Sequence, residues 1–219
     1  MRPLLSPVLL VLLSISLTAC GDDDGGGDPT GGCGRAPDIP LGQWVERTVT
    51  ADGTQRTYFV WLPANYDPQR AYPVVYQFHG CSDQREANNV PVQNESGDAA
   101  IHVRGRAVER CWDTAADGTG VALFDAVVPA VEGRYCTDAS RRFATGYSSG
   151  SFMAHRLACS RGDQLRGVAT IAGGTAGNNC TGTVAALLIH DQDDGTVGIG
   201  QSEAARDAHL ERNGCDAQA

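Results

Sequence analysis

The pentapeptide GYSSG, residues 146–150, follows the pattern G-x-S-x-G with Ser148 at its centre. The residues before it, RRFATG, predict a short strand, and the residues after it, SFMAHRLAC, predict a helix. A sharp strand-to-helix turn pushes the serine out at the edge of a sheet, and the glycines leave room for that turn. The motif therefore predicts an α/β sheet with Ser148 as a nucleophile at its edge. A serine in an ordinary glycine-rich turn is the alternative, because the chain contains 27 Gly.

Elsewhere, apolar strands alternate with helices, most clearly in the second half of the chain. This alternation is typical of a mostly parallel sheet with helices on both faces. Residues 82–119 are polar and irregular and predict no regular element, whereas Pro129 is expected to kink or end its helix. The predicted strands are 56–63, 72–80, 141–146, 167–174 and 184–191, and the predicted helices are 120–136, 151–159 and 200–214.

The N-terminal residues differ from the rest of the chain in composition. Arg2 precedes the apolar run LLSPVLLVLLSISL, which is too short for a stable membrane span and is typical of a signal peptide. The next residues, LTAC, resemble the lipobox of bacterial lipoproteins, in which the cysteine, here Cys20, is acylated. An ordinary secretory signal with a coincidental cysteine is the alternative. We therefore expect a signal peptide at 1–19, a lipid-anchored polar linker at 20–32 and one folded domain at 33–219.

The net charge restricts the expected binding partners, and the cysteines restrict the expected compartment and kind of site. The net charge of −9 argues against nucleic acid or an anionic lipid surface as the main partner, so contact with a membrane is expected only through the anchor. The eight cysteines include no C-x-x-C pair, which favours disulfides in an oxidising compartment over a zinc or redox site. If Cys20 is acylated, seven cysteines remain, and one of them lacks a partner in this chain.

A nucleophilic serine needs hydrogen-bond donors for the oxyanion that forms in the transition state. One predicted donor is the backbone N–H of Ser149, which directly follows the nucleophile. The second is the backbone N–H of Cys81, in the FHGC sequence that ends the strand 72–80. His79, in the same sequence, is expected to shape this loop rather than to move protons.

The acid that assists the serine is expected after a later strand. Asp191, Asp193 and Asp194 follow the strand 184–191, and Asp194 is preferred, with Asp193 second. A calcium-binding loop fails on spacing, because Gly195 and Ser202 occupy the fifth and twelfth positions counted from Asp191. A solvated acidic turn is the remaining alternative.

Several motifs in combination resemble the secreted polyhydroxybutyrate depolymerase and feruloyl esterase family of α/β-hydrolases, which cleave carboxylic esters. They are YCTDASRRFATGYSSGSFMAHRLAC, FHGC, CWD, IAGG, the turn after IH and the final NGC. The resemblance implies an α/β-hydrolase fold with Ser148 as nucleophile, Asp194 as acid, Cys81 in the oxyanion loop, and no metal or cofactor. Asp191 stands in place of the family's glycine, and Gly195 and Gly198 stand in place of prolines, which keeps Asp193 open as the acid.

The base is not evident among the histidines. Only His209 follows Asp194, and it lies in a predicted helix with no strand before it; His155 lies about two helical turns past Ser148. The resemblance implies that a last strand and a loop with the catalytic histidine are missing from this chain. We accordingly expect a partner for Cys33 in the missing segment. The other expected disulfides are Cys81–Cys111, Cys136–Cys159 and Cys180–Cys215.

The sequence therefore predicts an exported serine esterase, acting as a monomer through an acyl-enzyme on Ser148. Its substrate would be a polymer ester or a plant-cell-wall ester. The alternative is an inactive surface lipoprotein that binds a polymer or polysaccharide on a hydrolase scaffold; a peptidase on the same fold is a third. Trp112 and Tyr147 are predicted either to line a substrate pocket or to belong to the core.

Overall fold

The computed structural model describes residues 28–82, 90–178 and 180–215. Within these ranges, seven strands form one sheet and four helices pack on it. The strands are β1 (Trp44–Ala51), β2 (Thr54–Trp61), β3 (Tyr72–Phe78), β4 (Ile101–Gly105), β5 (Thr137–Tyr147), β6 (Gly167–Ile171) and β7 (Ala185–Ile189). The helices are α1 (Gln93–Ser96), α2 (Thr119–Glu132), α3 (Ser149–Ser160) and α4 (Gly200–Asn213), and a 3-10 turn at Gly97–Ala99 follows α1.

The strand order is β1-β2-β4-β3-β5-β6-β7. In this order, all neighbouring strands from β4 to β7 are parallel. Strands β1 and β2 form an antiparallel hairpin, and β2 pairs antiparallel with β4. The hairpin turns at Asp52 and Gly53, whose φ angles of 49° and 70° are the positive values that a tight two-residue turn requires. The mostly parallel sheet predicted from the sequence is confirmed.

The long helices α2, α3 and α4 cover one face of the sheet. The apolar positions of α2 recur at helical spacing and are buried against the sheet. There the rings of Phe124 and Tyr76 pack edge to face, with their centroids 5.1 Å apart. Burial of each such side chain contributes about 2 kcal/mol. Helix α2 continues through Pro129 to Glu132, because only its last turn follows the proline and little hydrogen bonding is lost.

The opposite face of the sheet carries the short helix α1, and over β5, β6 and β7 the described residues leave it uncovered. Apolar side chains there, among them Phe143 and Ile171, line a depression of about 690 Å³. Strand β7 is the last strand of the sheet in the described residues, and its Leu187 and Ile189 are 57% and 50% exposed. An exposed apolar edge strand of this kind is what soluble proteins normally cover. We call this region the open apolar face.

Every strand and helix predicted from the sequence is present, with shifted ends, but β1, β4 and the short helix α1 were missed. Strand β4 lies within residues 82–119, which the sequence predicted to be irregular. Its His102 is buried and is hydrogen-bonded to Gln77 at 2.8 Å and to Ser96 at 2.6 Å. These partners satisfy its ring nitrogens, so a strand that reads as polar lies in the middle of the sheet.

The folded unit begins earlier than the predicted boundary at Cys33. The backbone N–H of Asp28 donates to the Asp138 carboxylate at 3.0 Å, and the backbone N–H of Thr30 donates to Thr137 O at 3.0 Å. The described end of the predicted linker therefore packs along β5. The predicted signal peptide 1–19 and the proposed lipidation site Cys20 lie outside the described residues.

Asp138 anchors this segment, and its replacement by asparagine is expected to destabilise the domain. Burial alone would raise the pKa of this carboxyl, but hydrogen bonds from Ser140, Arg141 and the Asp28 N–H outweigh it and lower the pKa to about 2. Because the folded-state pKa lies below the ordinary value of 3.8, the stabilisation is present above about pH 4 and is lost as the pH falls towards 2. Urea unfolding should show Asp138→Asn about 2 kcal/mol less stable at pH 7, with a smaller difference at pH 3. Equal stabilities at pH 7 would contradict this role.

The structure contains three disulfides in its described residues, and two of them differ from the predicted pairing. Cys81–Cys111 is as predicted. Cys33 pairs with Cys136 because the N-terminal segment runs beside the start of β5. Cys159 pairs with Cys180 because the chain returns from β6 to the end of α3, where the Thr181 N–H donates to Cys159 O. The predicted pairs Cys136–Cys159 and Cys180–Cys215 are therefore wrong.

Cys215 is exposed and makes no disulfide with the described residues. The three disulfides fit an exported protein in an oxidising compartment. Among the described helices, none has both the length and the apolar character needed to cross a bilayer.

Candidate active site

Ser148 occupies a tight turn between the end of β5 and the start of α3. Its backbone has φ 52° and ψ −118°, a conformation that residues with a Cβ rarely adopt. The turn is held from both sides: the Ser148 N–H donates to Ile171 O at 2.9 Å, and Ser148 O accepts from the Ser151 N–H at 2.8 Å. Such strain persists only where the surroundings fix it, and it concentrates at functional sites. The geometry is that of a nucleophile elbow.

The two glycines of the motif are required by close packing rather than by their φ angles. A Cβ on Gly146 would lie 2.0 Å from Gly150 O, and a Cβ on Gly150 would lie 1.9 Å from Phe78 O. Both contacts involve backbone atoms, which cannot rotate away. The elbow is thus pressed against the end of β3, where the predicted oxyanion loop, residues 79–81, begins.

The predicted oxyanion loop is held in place by His79 and by a disulfide. The buried His79 donates from Nδ1 to Gly80 O at 2.7 Å and accepts the Ala107 N–H at Nε2 at 3.1 Å. Cys81 is joined to Cys111. Both ring nitrogens of His79 are engaged by backbone groups, which agrees with the structural role predicted for it.

The predicted acid Asp194 is held in the turn after β7. Its Oδ1 accepts the Thr196 N–H at 2.8 Å and the Val197 N–H at 3.0 Å, and these bonds, that from Val197 first, lower the pKa of the carboxyl. Its Oδ2 lies 3.7 Å from Nε2 of His190. Asp193 is exposed, and no hydrogen bond to its carboxylate joins it to the described residues. The geometry therefore favours Asp194 over Asp193 as an ordered carboxylate.

Ser148 and Asp194 lie at the same edge of the sheet. In register, Tyr147 pairs with Ile171, and Ile171 pairs with Ile189, so the elbow and the acid turn follow strands that are two positions apart. Two strand spacings are about 10 Å, which is too far for a direct hydrogen bond. An intervening base is needed to connect the two side chains.

None of the five histidines makes a hydrogen bond to Ser148 in the part of the chain that the structure describes. His190 donates from Nε2 to Val197 O at 2.6 Å. His209 and His155 lie against each other on α4 and α3, with Nε2 and Nδ1 3.3 Å apart. With His79 and His102 held as described above, each of the five rings makes a hydrogen bond to a group other than Ser148.

The His155–His209 pair is expected to make the domain acid-sensitive. Burial, followed by the neighbouring His209 and then Arg212, lowers the pKa of His155 to about 3. Burial, followed by the positive charge of Arg212, lowers the pKa of His209 to about 4. Because the folded-state values lie below the ordinary 6.5, the stability is complete above about pH 6.5 and is lost as the pH falls towards 4. The stability lost between pH 7.5 and pH 5 should be about 2 kcal/mol smaller in His209→Gln, as measured by urea unfolding. An unchanged pH dependence would contradict this.

Trp112 and Tyr147 differ in their surroundings. Trp112 is 6% exposed and packs on Phe78 and His79, with ring centroids 5.0 Å and 4.9 Å apart. Tyr147 is 39% exposed beside Ser148. Trp112 therefore belongs to the core, whereas Tyr147, the residue before Ser148, is exposed to solvent.

The sheet order, the elbow at the end of β5 and the ordered carboxylate after β7 define an α/β-hydrolase. The solved structure of a ferulic acid esterase from Anaeromyces mucronatus matches with a TM-score of 0.60 and 17% identity, over 83% of each chain. A thermostable esterase matches with a TM-score of 0.63 and 16% identity, over 80% of this chain and 53% of that one. These likenesses establish the fold.

Relatives at higher identity establish the family. Feruloyl esterase D of Neurospora crassa is 31% identical over 205 residues, which cover 85% of this chain and 69% of that protein. Probable feruloyl esterase C of Aspergillus clavatus is 30% identical over 220 residues, which cover 95% of this chain and 78% of that protein. No family model matches the chain. The chain belongs to the feruloyl esterase family, a group of carboxylic-ester hydrolases.

Proposed function

We propose that the protein hydrolyses carboxylic esters through an acyl-enzyme on Ser148. The observation that carries this proposal is the strained elbow, which presents Ser148 between the end of β5 and the start of α3. The Ser148 Oγ attacks the ester carbonyl and loses its proton to a base, and the alcohol departs with a proton returned by that base. Water then attacks the acyl-enzyme and releases the acid. The N–H groups of Ser149 and Cys81 stabilise the oxyanion in both steps.

The base is proposed to be a histidine from polypeptide that follows residue 219. Three observations support this: the five histidines of the chain make hydrogen bonds to groups other than Ser148, Asp194 is ordered but separated from Ser148, and none of the described residues covers the open apolar face. A further strand beside β7, with a helix over Leu187 and Ile189, would cover that face and bring a loop to the same edge of the sheet.

The proposed substrate is an ester of a hydroxycinnamic acid such as ferulic acid. The names of the relatives support this choice, and the exposed ring of Tyr147 beside Ser148 offers an aromatic surface for stacking. A hydroxybutyrate ester is the alternative that the sequence motifs suggested. The protein is proposed to act as an exported monomer.

We also propose that Cys20 is acylated and anchors the protein to a membrane. The support is the LTAC sequence after an apolar run and the polar stretch that follows it. Metabolic labelling with an alkyne fatty acid should tag the wild-type protein and not Cys20→Ser. Equal absence of label in both would contradict the anchor and leave plain secretion.

Ester hydrolysis by the protein expressed from its complete reading frame tests the proposed activity. Methyl ferulate and 4-nitrophenyl 3-hydroxybutyrate should be compared by kcat/KM. We expect turnover of both, with a preference for methyl ferulate. A preference for the hydroxybutyrate ester would contradict the proposed substrate, and turnover of neither would contradict the activity.

A second candidate function is the binding of a polymer by an inactive hydrolase scaffold. It is favoured by one observation, that no described histidine contacts Ser148. The reading frame beyond codon 219 distinguishes the two: a stop codon there favours the binding protein, and a continuing frame that encodes a histidine favours the enzyme.

A further inference from the structure

We infer that the hydroxyl of Ser149 is a positioning group that holds the oxyanion loop, residues 79–81, in register with the nucleophile. The inference rests on the proposed function and assigns to the Ser149 side chain a role separate from that of its backbone N–H. It follows from three sets of contacts that converge on one side chain.

The first set links the hydroxyl to Cys81. The Ser149 Oγ accepts the backbone N–H of Trp112 at 2.8 Å. Trp112 directly follows Cys111, and Cys111 is bonded to Cys81 through the disulfide. One hydrogen bond and one disulfide therefore connect the first residue of α3 to the residue whose N–H is the second proposed oxyanion donor.

The second set of contacts joins residues 107–112, the segment that contains Trp112, to the oxyanion loop. The Trp112 Nε1–H donates to His79 O at 2.9 Å, and the Ala107 N–H donates to His79 Nε2 at 3.1 Å. The Ser82 N–H donates to Arg110 O at 2.9 Å just beyond the loop. The loop and residues 107–112 thus form one hydrogen-bonded unit, which the Ser149 hydroxyl ties to α3.

The third observation is that Ser149 lies at the first position of α3. The first N–H groups of a helix have no intrahelical acceptor, so the Ser149 N–H is free to face an oxyanion. Gly150, the next residue, packs its backbone directly on Phe78 O at the end of β3. The residue that supplies one donor therefore also fixes the distance to the other donor.

Loss of the hydroxyl should affect the transition state more than the ground state. The Trp112 N–H belongs to a residue that is 6% exposed, and without Ser149 Oγ it loses its acceptor. A shift of the loop then moves the Cys81 N–H relative to the Ser149 N–H. Donors aimed at an oxyanion stabilise it only at short range, so kcat decreases while substrate binding is little changed.

The experiment compares Ser149→Ala and Ser149→Thr in the protein expressed from its complete reading frame. Ser160→Ala is the matched control, because it removes a hydroxyl from the same helix whose one hydrogen bond to the described residues is to Arg156 O, at 2.9 Å. The first readout is kcat and KM for 4-nitrophenyl acetate. The second is amide hydrogen exchange in a peptide covering residues 107–113, which reports the Trp112 N–H without any need for turnover.

We expect Ser149→Ala to lower kcat on the order of tenfold, with KM within about twofold of wild type, and to speed exchange in residues 107–113. Ser149→Thr keeps the oxygen and should restore most of the wild-type kcat and the wild-type exchange rate. Ser160→Ala should change neither kcat nor the exchange rate. An unchanged kcat in Ser149→Ala contradicts the inference alone, whether or not exchange becomes faster. A decrease in kcat that Ser149→Thr does not relieve, with unchanged exchange, also contradicts it. A wild-type protein without turnover contradicts the proposed function and, with it, this inference.

Discussion

Replacement of Ser148 with alanine is expected to lower kcat/KM for ester hydrolysis by on the order of 10³-fold or more, because the change removes the atom that we propose forms the acyl-enzyme. The measurement is the initial rate on 4-nitrophenyl acetate with purified wild-type and variant proteins. Ser160→Ala, on the same helix, is the control and should retain wild-type activity. A Ser148→Ala protein that keeps more than about a tenth of the wild-type rate would contradict the assignment of the nucleophile.

Substitutions of Ser148 should change the catalytic activity and the stability of the protein independently. The φ angle of 52° at Ser148 is unfavourable for alanine as well as for serine, so Ser148→Ala should unfold at nearly the wild-type temperature. Ser148→Gly removes the Cβ and should be more stable by about 1 kcal/mol, yet equally inactive. A glycine variant that is less stable than the alanine variant would show that the turn is not strained.

Replacement of Gly150 with alanine is expected to produce the largest loss of stability, about 3 kcal/mol or more. The added Cβ would lie 1.9 Å from Phe78 O and 2.7 Å from His79 O, and these are backbone atoms of β3 and the oxyanion loop. Helix α3 must move away from the sheet to admit it, which displaces both Ser148 and the loop. Urea unfolding and the rate on 4-nitrophenyl acetate should therefore decline together.

Gly200→Ala is the matched control for this prediction. Gly200 also lies in the first turn of a helix, α4, but a Cβ there would meet nothing within 4 Å. The substitution should leave stability unchanged or raise it by up to about 1 kcal/mol, because alanine favours the helix over glycine. Equal effects at Gly150 and Gly200 would show that helix propensity, and not contact with β3, decides the outcome.

The parts of the fold that could be predicted from the sequence are those specified by local pattern. The apolar spacing of α2, the strand before GYSSG and the left-handed Gly214 that ends α4 each depend on neighbouring residues alone. Strand β1 was missed although the Asp52-Gly53 pair is a hairpin signal, because charged residues of the strand obscure its alternation. Strand β4 was missed because its buried His102 is hydrogen-bonded to Gln77 on a neighbouring strand, a contact that the local sequence does not show.

The disulfides show the same limit. Cys81–Cys111 was predicted correctly, whereas the partners of Cys33 and Cys159 were not. The pairing of Cys33 depends on the segment around Pro29 lying beside Asp138. The spacing of cysteines along the chain contains no information about such contacts.

At the candidate site, the sequence predicted a chemical role for each residue but not the hydrogen bonds that hold these residues in place. The sequence preferred Asp194 over Asp193 as the acid, and the hydrogen bonds that order the Asp194 carboxylate favour the same choice. The contact of the Ser149 hydroxyl with Trp112 joins residues far apart in sequence, and no local signal could have found it. The elbow motif, by contrast, consists of five consecutive residues, so a local sequence pattern is enough to predict it.

The central claim is that Ser148 is an activated nucleophile, and active-site labelling tests it most directly. The protein expressed from its complete reading frame should be treated with a fluorophosphonate, and the modified peptide should be identified by mass spectrometry. We predict one equivalent of phosphonate on Ser148 and no labelling of Ser148→Ala. Failure of the wild-type protein to react, or modification of another serine in its place, would contradict the claim.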